Sequence, residues 1–421
     1  MTTAANALAG LWLLSWALHG ATQLMRHRVR SVHYIQIVLF IFCGLPLLLD
    51  ATYGPPDWLY PGFVKACGDE ATALAYCAYV CWVPILFHFV AGARWRPEDP
   101  MVATQVQGPS LRRLSRLILH GVTVLPVLLV LASDSPEVFL VYPAVFSPDL
   151  TPMLETQMNW ILLSCNLALL AAFALWASGK RLFHSRLLLL LPGIAVAVWI
   201  QGKRSLLVMG LFLIMFVVSV RGTLRGVRLV ALVAVVFILA ILFSSSYQTN
   251  VRGIPEGNRY LNFRVDYGRD HIIKQTLYAE LHPDKLSILE YRGQSLLFDI
   301  TAFVPRELWA DKPLPYALYA TAAALGAKPQ MFGWGFTTSW LEEAIANLSW
   351  FGVIFGPLLP ALICRASDST RNTNVRLLGT LVSALLLTLQ LSAFLALIAI
   401  WAILTVVAWR RDWRLPAARQ A

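Results

Sequence analysis

Apolar positions in this chain come in long unbroken runs rather than in alternation. Eleven runs approach the length of a spanning helix, near 5–22, 33–50, 71–92, 117–133, 158–178, 187–202, 205–220, 228–245, 347–364, 376–392 and 393–409. A helix rises about 1.5 Å per residue and the hydrocarbon core of a bilayer is about 30 Å thick, so about 20 apolar residues cross it. The last two runs are continuous from Leu377 to Trp409, too long for one crossing. A tight hairpin is the preferred reading there, and one long tilted helix is the alternative. The pattern predicts an all-α polytopic membrane protein with about eleven transmembrane helices. It also divides the chain into a bundle over 1–245, a polar and aromatic segment over 246–345, and closing spans over 346–421. A stretch of that length with no span of its own is rarely a plain connector.

Composition agrees with the pattern. Of 421 residues 58% are hydrophobic and 14% charged, with a mean hydropathy of +0.63; soluble domains carry about 25% charged residues. The net charge of +11 is accompanied by no nucleic-acid motif, so no nucleic-acid partner is expected. Six scattered cysteines form no second pair with Cys77 and Cys81, which argues against a disulfide framework or a metal site. Residues 5–18 lack a preceding basic region and read as a span rather than a cleaved leader.

Charge then orients the spans. Arg26, Arg28 and Arg30 follow the first run, and Arg94, Arg96, Arg112, Arg113 and Arg116 follow the third. Lys180, Arg181 and Arg186 follow the fifth, Arg221, Arg225 and Arg228 the seventh, and Arg365, Arg371 and Arg376 the ninth. Arg410, Arg411, Arg414 and Arg419 close the chain, while 134–157 has no Lys or Arg. Basic loops stay in the cytoplasm, which puts the N-terminus outside, the C-terminus inside and 246–345 on the outer face. Lys203 and Arg204 break the pattern in a short outer-side turn. Either both snorkel to the headgroups, or they form an anion site facing the long segment.

The long segment carries Arg252, Arg259, Arg264 and Arg269 among glycines, Pro255 and aromatics, which reads as an irregular basic loop. Guanidinium forks suit phosphate; the competing reading is salt bridging to Asp266, Asp270 and Glu256. From His271 to His282 the pattern turns helical, with Ile273, Leu277 and Leu281 on one stripe and His271, Lys274, Gln275 and Tyr278 on another. That predicts a helix lying on the membrane or on the bundle, with His271 as a candidate base. A second amphipathic stretch, Leu286 to Phe303, carries Glu290, Arg292 and Asp299. The turn Val304–Pro313 presents Arg306, Lys312 and Trp309, whose ring suits either sugar stacking or an interface anchor. Glu343 and Asn347, spaced i and i+4, face one way where the ninth span begins. They offer a base for a hydroxyl proton, or simply acids placed favourably in a first helical turn. No DxD, HExxH or P-loop pattern is present. A nucleotide-driven or metal-dependent reaction is therefore not expected.

Three of these motifs resemble the Wzy-type oligosaccharide repeat-unit polymerases, or O-antigen polymerases. They are Gly202-Lys-Arg204 between two spans, Val304-Pro-Arg-Glu-Leu-Trp-Ala-Asp-Lys-Pro313, and Thr337-Thr-Ser-Trp-Leu-Glu-Glu-Ala-Ile-Ala-Asn347 followed by Gly352. In the last, Glu342 stands where the family pattern has Gly. The resemblance covers the layout from about 187 to 365. It implies a cofactor-free and metal-independent glycosyltransferase that moves a growing glycan from undecaprenyl pyrophosphate onto a lipid-linked repeat unit. Arg204, with Lys203, Arg252, Arg259, Arg264, Arg269, Arg306 or Lys312, would hold the pyrophosphate and stabilise it as it leaves. Trp309 and Asn347 would contact glycan, and Glu343 or His271 would help deprotonate the acceptor. The implied partners are that lipid-linked oligosaccharide, the bilayer of the bacterial inner membrane and a chain-length regulator. An O-antigen ligase shares the architecture and is the nearest rival. A polysaccharide or lipid transporter is the rival of another class, although mid-span ionisable residues are almost lacking, with His88 and His120 the exceptions near span ends.

Overall fold

The computed structural model describes residues 2–26, 28–92, 113–140, 190–201, 259–301, 308–332, 334–370 and 372–414, with isolated positions between 157 and 175 and at 231, 238 and 304. Every regular element among them is helical. The chain resolves into two compact units, one formed by Met1–Pro100 with Gly257–Ala421 and the other by Met101–Glu256. In the second, the helices Arg113–Leu131 and Leu191–Gln201 pack around Val130, Phe139, Ile161, Cys165, Ala197 and Ile200. The expected spans at 205–220 and 228–245 lie outside the described residues, apart from two isolated positions.

The first unit holds the elements that matter here. They are α1 (Thr2–Met25), α2 (Ser31–Tyr53), α3 (Pro61–Gly68), α4 (Glu70–Gly92), α5 (Arg259–Tyr267), α6 (Asp270–Leu281), α7 (Gln294–Ile300), α8 (Tyr316–Leu325), α9 (Trp340–Leu348), α10 (Gly352–Asp368), α11 (Thr373–Leu386) and α12 (Leu395–Arg414). Three helical stretches among the described residues are long and apolar enough to cross a membrane: α2, α4 and α9 with α10 as Trp340–Asp368. The 24-residue α1 is not one of them. The run from Leu377 to Trp409 is two helices that pack on each other, α11 and α12, broken between Leu387 and Phe394. This agrees with the hairpin rather than with one tilted helix.

Local chemistry sets the boundaries. The Asp69 carboxylate caps α4 by accepting the Thr72 N–H at 2.8 Å. Ser339 and Glu342 close a reciprocal capping box at the start of α9. Gly326, at φ 68°, ends α8 in the left-handed region that glycine tolerates. Helix α6 stops at His282, before Pro283.

The Arg-rich helix ends gather at one end of this unit. Arg30 donates to the Gly92 carbonyl at 3.0 Å, joining the end of α4 to the start of α2. The Asp368 carboxylate accepts the Ser31 N–H at 3.1 Å and lies 3.7 Å from Arg376. Trp409 donates to Ser369 at 2.9 Å. The loops that the charge pattern assigns to one side of a membrane are therefore neighbours. At the other end stand Asp50, Asp69 and Trp340 with the described part of the long segment.

That segment departs from expectation at its start. Residues 259–267 form a helix, not an irregular loop: Pro255 lies before it, and the helix runs as far as Tyr267, just short of Gly268. Helix α6 is buried along most of its length, from Asp270 through Ala279. It packs against α3, α4 and α9, so its polar face is turned into protein.

Candidate functional site

Two buried polar clusters form where residues 259–348 meet the spanning helices. The first centres on Arg264 of α5. Its guanidinium pairs with the Asp50 carboxylate at the end of α2, and with Asp270 Oδ2 at 2.5 Å. It also donates to the Tyr260 hydroxyl at 3.1 Å. Lys274, one turn along α6 from Asp270, lies 3.3 Å from Asp270 Oδ2 and 3.5 Å from Asp50 Oδ2. All four charges are buried. At Arg264, Lys274 and Asp270 burial works against the charge, and the opposite charges outweigh it. Arg264 and Lys274 are raised above their ordinary values, and Asp270 is held well below the usual carboxylate range.

Arg269 follows on the link between α5 and α6. Its backbone N–H donates to the Phe42 carbonyl at 3.0 Å and its Nε to the Thr388 carbonyl at 3.1 Å. Burial lowers it to about 10, against the opposing charge of Glu342. His271 sits between the rings of Trp58 and Phe63, with centroids 5.1 and 4.8 Å away. Its Nδ1 is 3.9 Å from Asp270 Oδ1. Burial lowers it, against that neighbouring carboxylate, so the ring is neutral at pH 7.

The second cluster joins α7 to α9. Ser295 Oγ donates to Glu343 Oε1 at 2.9 Å. Asn347 Nδ2 donates to Ser295 Oγ at 2.8 Å and to the Glu343 carbonyl at 2.7 Å. Asp299, one turn along α7 from Ser295, is a hydrogen-bond partner of the Glu343 carboxyl, and the Leu391 backbone approaches that carboxyl. Burial pushes the Asp299 carboxyl up to about 6, against the pull of that hydrogen bond. Beyond Asn347 the chain breaks at Ser349, at φ 55°, whose hydroxyl donates to Glu280 at 2.7 Å. Arg292 caps the end of α9 through the Ala346 carbonyl at 2.7 Å.

The predicted site residues thus separate. Glu343 and Asn347 meet in one cluster, as their i, i+4 spacing requires. Arg264 and Arg269 do not form a basic surface. Both are buried and committed to internal partners, because the chain turns them inward where α5 hands over to α6. Of the expected salt-bridge partners Asp270 is one, while the other, Asp50, comes from the end of a span. Lys312 is likewise buried, donating to the Val304 carbonyl at 2.9 Å with its Nζ 5.0 Å from the Phe298 ring centroid. His271 is buried against aromatic rings and does not face the Glu343 cluster. Trp309 is half-buried. Arg259 opens α5, whereas Lys203, Arg204, Arg252 and Arg306 lie outside the described residues. Among the described residues no group of three or more His, Cys, Asp or Glu is arranged to hold a metal ion.

Sequence reading missed Asp50, Ser295 and Asp299 as site members. Asp50 was visible only as an acid at a span end, and Asp299 only as one charge in an amphipathic stretch. Comparison of the chain with family models, with curated proteins and with solved structures finds no match.

Proposed function

We propose that this protein is a bacterial surface-polysaccharide polymerase of the inner membrane, a glycosyltransferase that elongates a glycan held on undecaprenyl pyrophosphate. The observation that carries the reading is the Glu343 carboxyl. Ser295 of the long segment and Asn347 hold it at the end of the first unit opposite the gathered arginines. A positioned carboxyl there suits proton removal from an acceptor hydroxyl by general base catalysis. The sequence resemblance supplies the donor, a lipid pyrophosphate that needs no nucleotide.

In this reading the acceptor hydroxyl attacks the anomeric carbon of the donor sugar. The bond to pyrophosphate breaks, and the leaving group keeps the electron pair. Arg264, Arg269 and Lys312 are spent on internal contacts, so the pyrophosphate falls to Arg204 and Arg306, with Lys203, Arg252 and Arg259 in support. His271 is neutral, enclosed by rings and positions α6 rather than reacting. The N-terminus and the long segment face outward, and the basic ends face the cytoplasm.

A deletion strain tests this. Loss of a polymerase leaves single repeat units attached to the cell surface, and loss of a ligase leaves no attached glycan. Complementation with Arg204→Ala or Arg306→Ala should give single units at normal protein level. Normal chain length from both variants sinks the anion-site assignment.

A further inference from the structure

Among the described residues, three buried side-chain oxygens in the second cluster lack a donor: Asp299 Oδ2, Glu343 Oε2 and Asn347 Oδ1. All three are acceptors. The orientation of the Asn347 amide is fixed, because its Nδ2 donates to a backbone carbonyl, which can only accept. Two carboxyls in hydrogen-bond contact away from water cannot both be ionised, so Asp299 and Glu343 hold a proton between them. That satisfies one pair of oxygens. The Asn347 amide oxygen still calls for a donor, and buried acceptors without donors are rare. Among the leading influences on either carboxyl there is no cation. Tyr316 and the adjacent Glu342 are the nearby titratable groups.

We infer that Asp299 and Glu343 act as one proton-sharing pair that receives the acceptor-sugar proton, and that Asn347 Oδ1 receives a further hydroxyl of the same sugar. This rests on the polymerase reading and names the subsite where the acceptor glycan binds. The pair holds one proton before transfer. The acceptor oxygen bonds to the anomeric carbon, the bond to pyrophosphate oxygen breaks, and the hydroxyl proton becomes the second proton of the pair, to be released to solvent. A subsite built only of acceptors selects a ligand rich in O–H donors and rejects anions.

Infrared titration of the purified full-length protein tests the pair without substrate. Wild type should show the C=O stretch of a buried protonated carboxyl at neutral pH, and Asp299→Asn and Glu343→Gln should each shift that band and its titration by removing the partner of the shared proton. In the deletion strain Asp299→Asn should lower long-chain polysaccharide at least tenfold at normal membrane level, and Asp299→Glu should restore part of it. Absence of the wild-type band overturns the shared proton. Full-length polysaccharide from Asp299→Asn overturns its role in transfer. A deletion strain with no attached glycan, alongside an intact infrared band, overturns the assignment to polymerisation and leaves the pair itself standing.

Discussion

Asp50 is the residue on which the first cluster depends. Replacing it by Ala leaves Arg264 and Lys274 buried with one carboxylate between them. Breaking a buried pair from one side costs about 3–5 kcal/mol, so Asp50→Ala should lower the unfolding temperature of the detergent-purified protein sharply. Removing both partners in Asp50→Ala with Arg264→Met should recover much of the loss, and an unchanged midpoint in the single variant would contradict the pairing. At Asp299 the expected readout is pH. A base works ionised, so chain extension should be lost as pH falls through about 6, and the inflection should vanish in Asp299→Asn. Stability runs the other way at this residue. Its folded value is raised, so the folded state binds more protons than the unfolded one between about 4 and 6, and this contribution is lost as pH rises through that window. Glu343 and Asn347 were legible as a pair because one helical turn joins them. Asp50 and Arg264 were not, since 214 residues separate them, and neither were Ser295 and Glu343, 48 residues apart. No periodicity records contacts made by tertiary packing.

Helix α9 is the element that presents Glu343, and its seating against α10 is tight. A Cβ added at Gly352 would lie 2.2 Å from the Ala344 carbonyl oxygen. That oxygen belongs to backbone and cannot move aside without shifting α9. Gly352→Ala should therefore destabilise by about 1–3 kcal/mol and shorten the polymer through displacement of Glu343. Thermal unfolding and polysaccharide length measured on the same membranes check this, and wild-type values for both would show that α9 and α10 are not so constrained. The sequence pattern found most of these elements, because long apolar runs leave a helix little choice. It read α6 as a helix on the membrane or on the bundle, and its two stripes did not tell how deeply the polar one would be buried. In the fold Asp270, Lys274 and Gln275 are buried with partners, and a polar residue that is neutralised internally looks the same in sequence as one in water. It likewise read 252–270 as a loop from glycines and a proline that flank α5 without interrupting it.

At the scale of the whole chain, charge segregation orders the architecture. Arg30, Arg365 and Arg376 belong to helix ends that meet through Asp368 and Gly92, and the acid-rich clusters lie at the opposite end. Basic and acidic side chains of this unit are thus segregated to opposite ends. The segment after residue 257 is part of the same compact unit as the first four helices rather than an appendage. It brings Ser295 and Asp299 to a carboxyl that belongs to a span. The most direct test of the account is chain extension by the purified full-length protein. It would be supplied with an undecaprenyl-pyrophosphate-linked repeat unit extracted from cells that make it, with no nucleotide sugar and no second enzyme. The account predicts a ladder of lipid-linked products longer by whole repeat units, lost in Glu343→Gln. A repeat unit that remains single, or one moved only to an acceptor other than another repeat unit, would contradict it.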